Sequence, residues 1–174
     1  MLRNVLSGNF VPHNSPSSIA TFVYKVLEQI DGEALRASLA DLSNSKPFES
    51  IRQYFYSAVI KVLAPTCMWM IPSVGRHYEM QRDSLDFYLD GDVKWGIKLS
   101  CETDKDIASC GRLFQGGQYS HLSLDQYVVL NFTSDVPSPR VRDHDSHLWH
   151  IVHDRESFDK FAVYRKDCAQ PTLV

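Results

Sequence analysis

Hydrophobic and polar residues alternate through residues 84–101, SLDFYLDGDVKWGIKLSC. Alternation of this kind is typical of strands with one apolar and one polar face. The dipeptide Asp90-Gly91 favours a tight hairpin turn between two such strands. The pattern therefore predicts a hairpin in which one face packs and the other is free for chemistry. Because the two strands are neighbours, Asp86 and Lys98 are predicted to lie on adjacent strands, both pointing out of the sheet.

Two segments near the start of the chain show helical periodicity. Hydrophobic residues within 19–30 recur at the spacing of one helix face, and Ser17 or Ser18 can cap that helix. Gly32 is predicted to end it. Residues 33–42 then predict a second, shorter helix with leucines on one side.

The stretch SNSKP at residues 43–47 is polar and contains a proline, as linkers often do. It predicts a helical N-terminal extension over residues 1–46 and a main domain over residues 47–174. The helical pair has two interpretations. It either packs on the main domain of the same chain, which is the commoner outcome, or offers a docking surface to another molecule.

The main domain begins with a third predicted helix, over residues 48–63, which Pro65 stops. Glu49 and Gln53 share a face of its first turns because they are four residues apart. The remaining predicted elements follow in order: a strand at 67–71, a turn-rich passage through Pro72 and Gly75, the hairpin, a helix from 103 to about 116, a strand at 126–132, a loop at 134–142, a strand at 148–152, and a segment at 157–164 that fits either strand or helix. This order predicts an α/β domain with a mixed central sheet flanked by helices.

Composition adds few constraints. The 174 residues are 44% hydrophobic and carry a formal net charge of -3, which gives no general attraction to nucleic acid. No stretch is long and apolar enough to span a membrane, and no export signal is visible. Four cysteines without CxxC pairing predict reduced, buried thiols in a reducing compartment. We therefore expect a soluble protein with no membrane partner.

Six segments in a fixed order carry a family resemblance: PFESIRQYFYSAV, SLDFYLDG, WGIKLSCE, GRLFQGGQY, YVVLNF and LWHIV. Together they resemble the nuclease-like C-terminal domain of the Crinkler effectors of fungi and oomycetes, within the PD-(D/E)XK restriction-endonuclease-like superfamily. The resemblance covers roughly residues 47–155. It implies a restriction-endonuclease-like fold, action in the cytoplasm or nucleus of a host cell, and DNA or a host protein as partner.

The resemblance also implies roles for individual residues. In that superfamily two acids hold a divalent cation, usually Mg²⁺, and a lysine positions the water that attacks the phosphate. Asp86 matches the metal-binding aspartate, and Glu49 resembles an accessory acidic ligand, with Gln53 beside it. Lys98 occupies the lysine position. Nucleic-acid contacts are implied for Arg112, Gln118 and Tyr119.

The chain departs from the superfamily pattern at several polar positions. Gly96 stands where an acid two residues before Lys98 is expected, and the Crinkler-type strand has an acid at the position of Lys98 itself. Ser109 and Gln118 stand where the Crinkler-type pattern has His and Lys. One carboxylate is a poor magnesium site. Two alternatives remain for this site. Either another acid such as Glu49, Asp90 or Glu102 moves close enough to complete the metal site, or Lys98 forms an ion pair with Asp86 in place of the metal.

Two functional hypotheses follow. The favoured one is a Crinkler-like domain with a degenerate site that binds a host partner or nucleic acid. The alternative is an active Mg²⁺-dependent DNA endonuclease that uses Asp86, Glu49 and Lys98. A third, weaker hypothesis is metal binding by four histidines spaced three apart, namely His144, His147, His150 and His153. Spacing of three scatters side chains over both faces of a strand, so this cluster also fits an ordinary histidine-rich edge.

Overall fold

The computed structural model of the chain describes residues 16–41, 47–74, 85–101, 122–142, 145–154 and 158–174. The helices in these ranges are α1 (Ile19–Glu28), α2 (Gly32–Asp41), α3 (Pro47–Leu63) and the short α4 (Pro139–Arg142). The strands are β1 (Trp69–Val74), β2 (Leu85–Asp90), β3 (Trp95–Ser100), β4 (Gln126–Thr133), β5 (Leu148–His153), β6 (Phe161–Tyr164) and β7 (Thr172–Leu173). None of the described helices is both long and apolar enough to cross a membrane.

The strands form a single mixed sheet in which the order β1 to β7 follows the chain. β1, β2 and β3 pair antiparallel, β3, β4 and β5 run parallel, and β5, β6 and β7 pair antiparallel again. The prediction of a mixed α/β domain is therefore confirmed. Because β2 runs against β3, the start of β2 lies beside the carboxyl end of β3, and this end of the sheet carries the site described below.

The main core lies between the three long helices and one face of the sheet. Ser18 caps α1, since its side chain accepts the Thr21 N–H at 3.1 Å. The ring of Phe22 on α1 lies 6.0 Å from Trp95 of β3, which places the helix on the sheet. Buried residues of α1, α2, α3 and the strands form one continuous cluster. The helices predicted at 19–30, 33–42 and 48–63 are confirmed, and the apolar stripe of α1 is buried within the same chain.

The opposite face of the sheet holds a smaller apolar cluster. Leu85, Tyr88, Val129 and Leu148 are buried there. Along β4, Val129 alternates with Val128 and Leu130 of the main core, as the two-residue period of strands requires. Every residue of β3 is consequently buried. The prediction that one face of the hairpin is free was therefore wrong, because the sheet is covered on both sides at this point.

Several element boundaries also differ from the prediction. Gly32 starts α2 rather than ending α1, which stops at Glu28. A Cβ atom on Gly32 would lie 2.4 Å from the carbonyl oxygen of Phe158, so the close packing of two backbone segments requires glycine here. β1 begins two residues later than predicted and includes Pro72, which edge strands tolerate. The ambiguous segment at 157–164 contains the strand β6.

Two minor predictions also need correction. The loop predicted at 134–142 contains the short helix α4 at its end. Cys67 and Cys101 are exposed and Cys168 is half-buried, so the prediction of buried thiols was wrong for these three cysteines. Cys110 and the helix predicted from residue 103 to about 116 lie outside the described residues.

A polar clasp joins helix α1 to the segment that follows β6. The guanidinium of Arg165, just after β6, lies 4.3 Å from the ring centroid of Trp149 on β5. It also donates to the Tyr24 hydroxyl of α1 at 3.3 Å and pairs with Asp167. One side chain thereby fastens the first helix to the second half of the sheet.

Candidate functional site

The hairpin places Asp86 and Lys98 side by side, as predicted. The Nζ atom of Lys98 lies 3.6 Å from Asp86 Oδ2. Both residues are buried, with 3% of Asp86 and 8% of Lys98 exposed to solvent. The ion pair predicted as a replacement for the metal is present, but it lies inside the protein rather than on an open polar face.

Asp86 makes two further contacts that tie it to separate elements. Main-chain pairing between β2 and β3 covers Phe87 to Leu89 and Trp95 to Ile97. Beyond this stretch a side chain replaces the main-chain pairing between the strands. Oδ2 of Asp86 accepts the backbone N–H of Leu99 at 2.8 Å.

The other carboxylate oxygen faces helix α3. Arg52 Nε lies 3.3 Å from Asp86 Oδ1, and only 15% of the Arg52 side chain is exposed. The sequence patterns did not predict a role for this residue. Its one available signal was its place in the first turns of α3, on the segment that carries the resemblance, three residues after Glu49.

The same arginine reaches the predicted accessory acid. Arg52 Nη1 lies 3.8 Å from Glu49 Oε2, while 65% of the Glu49 side chain is exposed. Glu49 and Asp86 are therefore linked through Arg52. Gln53, predicted to assist them, is exposed on the helix. We call Glu49, Arg52, Asp86 and Lys98 the Asp86 cluster; its two acids and two bases sum to zero formal charge.

Burial dominates the electrostatics of Asp86. The loss of solvent around the carboxyl group raises its pKa above the ordinary value of 3.8. Lys98, the Leu99 N–H and Arg52 each act in the opposite direction but do not outweigh it. This balance is the expected behaviour of an aspartate removed from water, because burial penalises its charged form.

The Asp86 cluster does not fit a divalent cation as it is arranged. Mg²⁺ needs carboxylate oxygens directed at an open position that also accommodates several waters. Both oxygens of Asp86 already face protein donors, and Arg52 stands between Asp86 and Glu49. In the residues that the structure describes, no three His, Cys, Asp or Glu side chains converge as metal ligands. Asp90, a suggested substitute, lies at the far end of β2 from Asp86.

A buried polar row on the sheet lies close to the Asp86 cluster and was not predicted. Ser100, Asn131, His150 and Tyr164 occupy matching positions on β3, β4, β5 and β6. The first three have no more than 4% of their surface exposed. Ser100 shares its side of β3 with Lys98. A polar residue within an otherwise apolar strand, such as Asn131 in QYVVLNF, was the available sequence signal.

The histidine series is divided among different environments. His147 lies 3.1 Å from Asp145 Oδ1 and stacks on Tyr127 at 4.1 Å between ring centroids. His150 is fully buried in the polar row, whereas His153 stacks on Phe158. These three histidines therefore do not converge. His144, the fourth, lies outside the described residues.

Several other predicted site residues cannot be placed. Arg112, Gln118 and Tyr119, for which the resemblance implies nucleic-acid contacts, lie outside the residues that the structure describes. The same is true of Ser109 and Glu102.

Large hydrophobic side chains are exposed on two adjoining elements. Trp69 and Ile71 on β1, the first strand of the sheet, are 75% and 49% exposed. Tyr56 and Ile60 on α3 are 38% and 47% exposed. The ring of Tyr56 lies 6.3 Å from Phe87, which pairs with Pro72 of β1, whereas Trp69 and Ile71 pair with Asp90 and Tyr88. Because strand residues alternate between the two faces, Trp69 and Ile71 lie together on the face of the sheet opposite to α3. We call Trp69 and Ile71 the apolar edge.

Comparisons with known proteins provide no further guide to this site. No family model matches the chain, and neither a curated protein nor a solved structure matches it. The geometry of the Asp86 cluster and the resemblance carried by the sequence motifs are therefore the basis for a functional proposal.

Proposed function

We propose that this chain is a Crinkler-like domain of the restriction-endonuclease type that no longer cleaves DNA and acts by binding a protein partner. The observation that carries the proposal is the state of Asp86. Its Oδ1 faces Arg52, and its Oδ2 faces Lys98 and the Leu99 N–H. A nuclease of this type needs that carboxylate for its metal, whereas here it serves as the centre of a buried ion-pair network.

The sequence departures support the same conclusion. Gly96, which replaces the expected acid, lies on β3 two residues before Lys98. Without that acid, the lysine has a carboxylate partner in Asp86 but no metal-bound water to position. Lys98 thus has a structural role in this proposal, as the second cation around Asp86.

The apolar edge supports a protein partner rather than nucleic acid. Exposed aromatic and aliphatic side chains close to one another commonly mark protein interaction sites. A net charge of -3 provides no general electrostatic attraction to a phosphate backbone. In this proposal the partner is a host protein that covers Trp69 and Ile71, in the host cytoplasm or nucleus.

The loss of cleavage is tested with plasmid and linear DNA, incubated with Mg²⁺ and then with Mn²⁺. The native chain is compared with Asp86→Asn, which keeps the size of the side chain. We expect no cleavage by either protein. Cleavage by the native chain that disappears in Asp86→Asn would support the active endonuclease instead. The anisotropy of a labelled DNA duplex, measured at physiological salt, is expected to show no saturable binding.

The partner surface is tested by immobilising the native chain and a Trp69→Ser/Ile71→Ser variant against a lysate of host cells. A matched control, Val136→Ser/Leu173→Ser, removes two large exposed residues elsewhere. A true partner is retained by the native chain and by the control but lost with the Trp69→Ser/Ile71→Ser variant. Identical sets of retained proteins would show that the apolar edge is not the binding surface.

A further inference from the structure

We propose that Arg52 is an internal cation that holds closed a latent divalent-metal site between Glu49 and Asp86. The inference deepens the proposed function and rests on it, because it concerns the same cluster and explains why that cluster would not take a metal. It begins from the mismatch between the metal expected at Asp86 and the donors that surround it.

Arg52 contacts both acids of the Asp86 cluster. One guanidinium contacts Asp86 through Nε at 3.3 Å and Glu49 through Nη1 at 3.8 Å. These are the two acids for which the family resemblance implies a metal. A guanidinium is permanently charged and offers several N–H donors in a plane, so it can satisfy two carboxylates at once. The arginine therefore supplies positive charge where a bridging cation would supply it.

Arg52 and a dissolved metal ion compete for the carboxylate of Asp86. Arg52 is already held beside Asp86 by α3, whereas a dissolved cation must give up translational freedom to bind there. A dissolved cation must displace it and also shed part of its own water shell. Only 3% of Asp86 is exposed, which makes that exchange harder. Free Mg²⁺ is expected to lose this competition.

Removal of the Arg52 guanidinium leaves both carboxylates of the cluster in the protein. Asp86 stays anchored by the Leu99 N–H at 2.8 Å. Glu49 is 65% exposed and can rotate towards the vacated space. Mg²⁺ and Mn²⁺ retain several waters when bound, so the two carboxylates need not both touch the ion. Lys98 remains as a single positive charge beside two acids.

The test is calorimetric titration of Mn²⁺ into the native chain, Arg52→Met and Arg36→Met. Arg52→Met is expected to bind Mn²⁺ at least tenfold more tightly than the native chain. Arg36→Met is the matched control, because it removes an exposed arginine outside the Asp86 cluster, and its affinity is expected to remain at the native level. Adding Asp86→Asn to Arg52→Met is expected to abolish the gain.

Tight, Asp86-dependent Mn²⁺ binding by the native chain would overturn the inference, and so would a folded Arg52→Met that binds no better. If Arg52→Met is unfolded, Arg52→Gln takes its place. If both are unfolded, recovery of circular dichroism in Mn²⁺ but not in EDTA supports the latent site, and no recovery in either overturns it. DNA cleavage by the native chain would instead contradict the proposed function.

Discussion

Arg52 on helix α3 and Asp86 on strand β2 meet inside the protein, with Nε and Oδ1 only 3.3 Å apart. Their contact joins the helical layer to the sheet. Lys98 and the Leu99 N–H bind the other oxygen, so one carboxylate connects α3, β2 and β3. Asp86 is thereby the buried carboxylate that Arg52 and Lys98 share.

Asp86→Ala is expected to lower the free energy of unfolding by about 3–5 kcal/mol, because it removes the buried carboxylate that Lys98 and Arg52 share. Urea denaturation measures the change. Asp92→Ala, which removes an exposed carboxylate just beyond the same strand, is the control and should stay within about 0.5 kcal/mol of the native value. Equal effects of the two substitutions would mean that the Asp86 cluster contributes little to stability.

The raised pKa of Asp86 predicts a pH dependence with a definite sign. Burial raises the folded-state pKa above 3.8, so the folded chain holds a proton that the unfolded chain has already released. The contribution of Asp86 to stability must therefore fall as pH rises from about that ordinary value through the folded pKa.

The comparison that isolates this contribution uses Asp86→Asn, which cannot titrate. The unfolding free energy of the native chain minus that of Asp86→Asn is expected to be largest at and below the ordinary pKa of 3.8 and to decline to a plateau at higher pH. Denaturation curves at a series of pH values provide the measurement. A difference that instead grew with pH would show that Arg52 and Lys98 outweigh burial.

Gly32→Ala is expected to destabilise the fold by about 1–3 kcal/mol, the usual cost of inserting an atom into a well-packed region. The added Cβ would lie 2.4 Å from the Phe158 carbonyl oxygen, and backbone atoms cannot move aside cheaply. Thermal and urea unfolding report the loss. Arg36→Ala, at an exposed position on the same helix, should change stability by less than about 0.5 kcal/mol. An unchanged Gly32→Ala protein would mean that α2 and the Phe158 segment pack less closely.

Arg165→Ala is expected to lower the unfolding free energy by about 1–2 kcal/mol, the combined contribution of a cation–π contact and a hydrogen bond. The contacts concerned are with Trp149 at 4.3 Å and with the Tyr24 hydroxyl at 3.3 Å. Lys166→Ala, at an exposed neighbouring position, provides the comparison in the same urea titration. If both variants unfold at the native midpoint, the clasp is not a stabilising contact.

Local periodicity was enough to predict most of the elements and the neighbouring positions of Asp86 and Lys98. Alternation fixes which residues of a hairpin share a side, and helical spacing fixes which residues of α1 and α3 face the core. The burial of Asp86 and Lys98 could not be predicted in this way, because it depends on which other segments of the chain pack against the sheet.

Arg52 was missed for a related reason. A charged residue near the start of a helix is most often solvated, and nothing in its spacing indicates that it turns inward to a strand that follows much later. The buried row at Ser100, Asn131 and His150 depends on strand pairing across the sheet, which periodicity within one strand does not specify. Contacts between distant segments are thus what the sequence patterns left undetermined.

The clasp between Tyr24 and Arg165 has a consequence for how the protein is made, since it joins residues 141 positions apart. The sheet follows chain order, so each new strand can pair with the one made before it. The α1 helix is synthesised before the strands, yet its hydrogen bond with Arg165 can form only after a residue close to the last strand has been made. During synthesis, α1 must therefore exist for some time without its final contacts, and the N-terminal part of the fold can be completed only after Arg165 has left the ribosome.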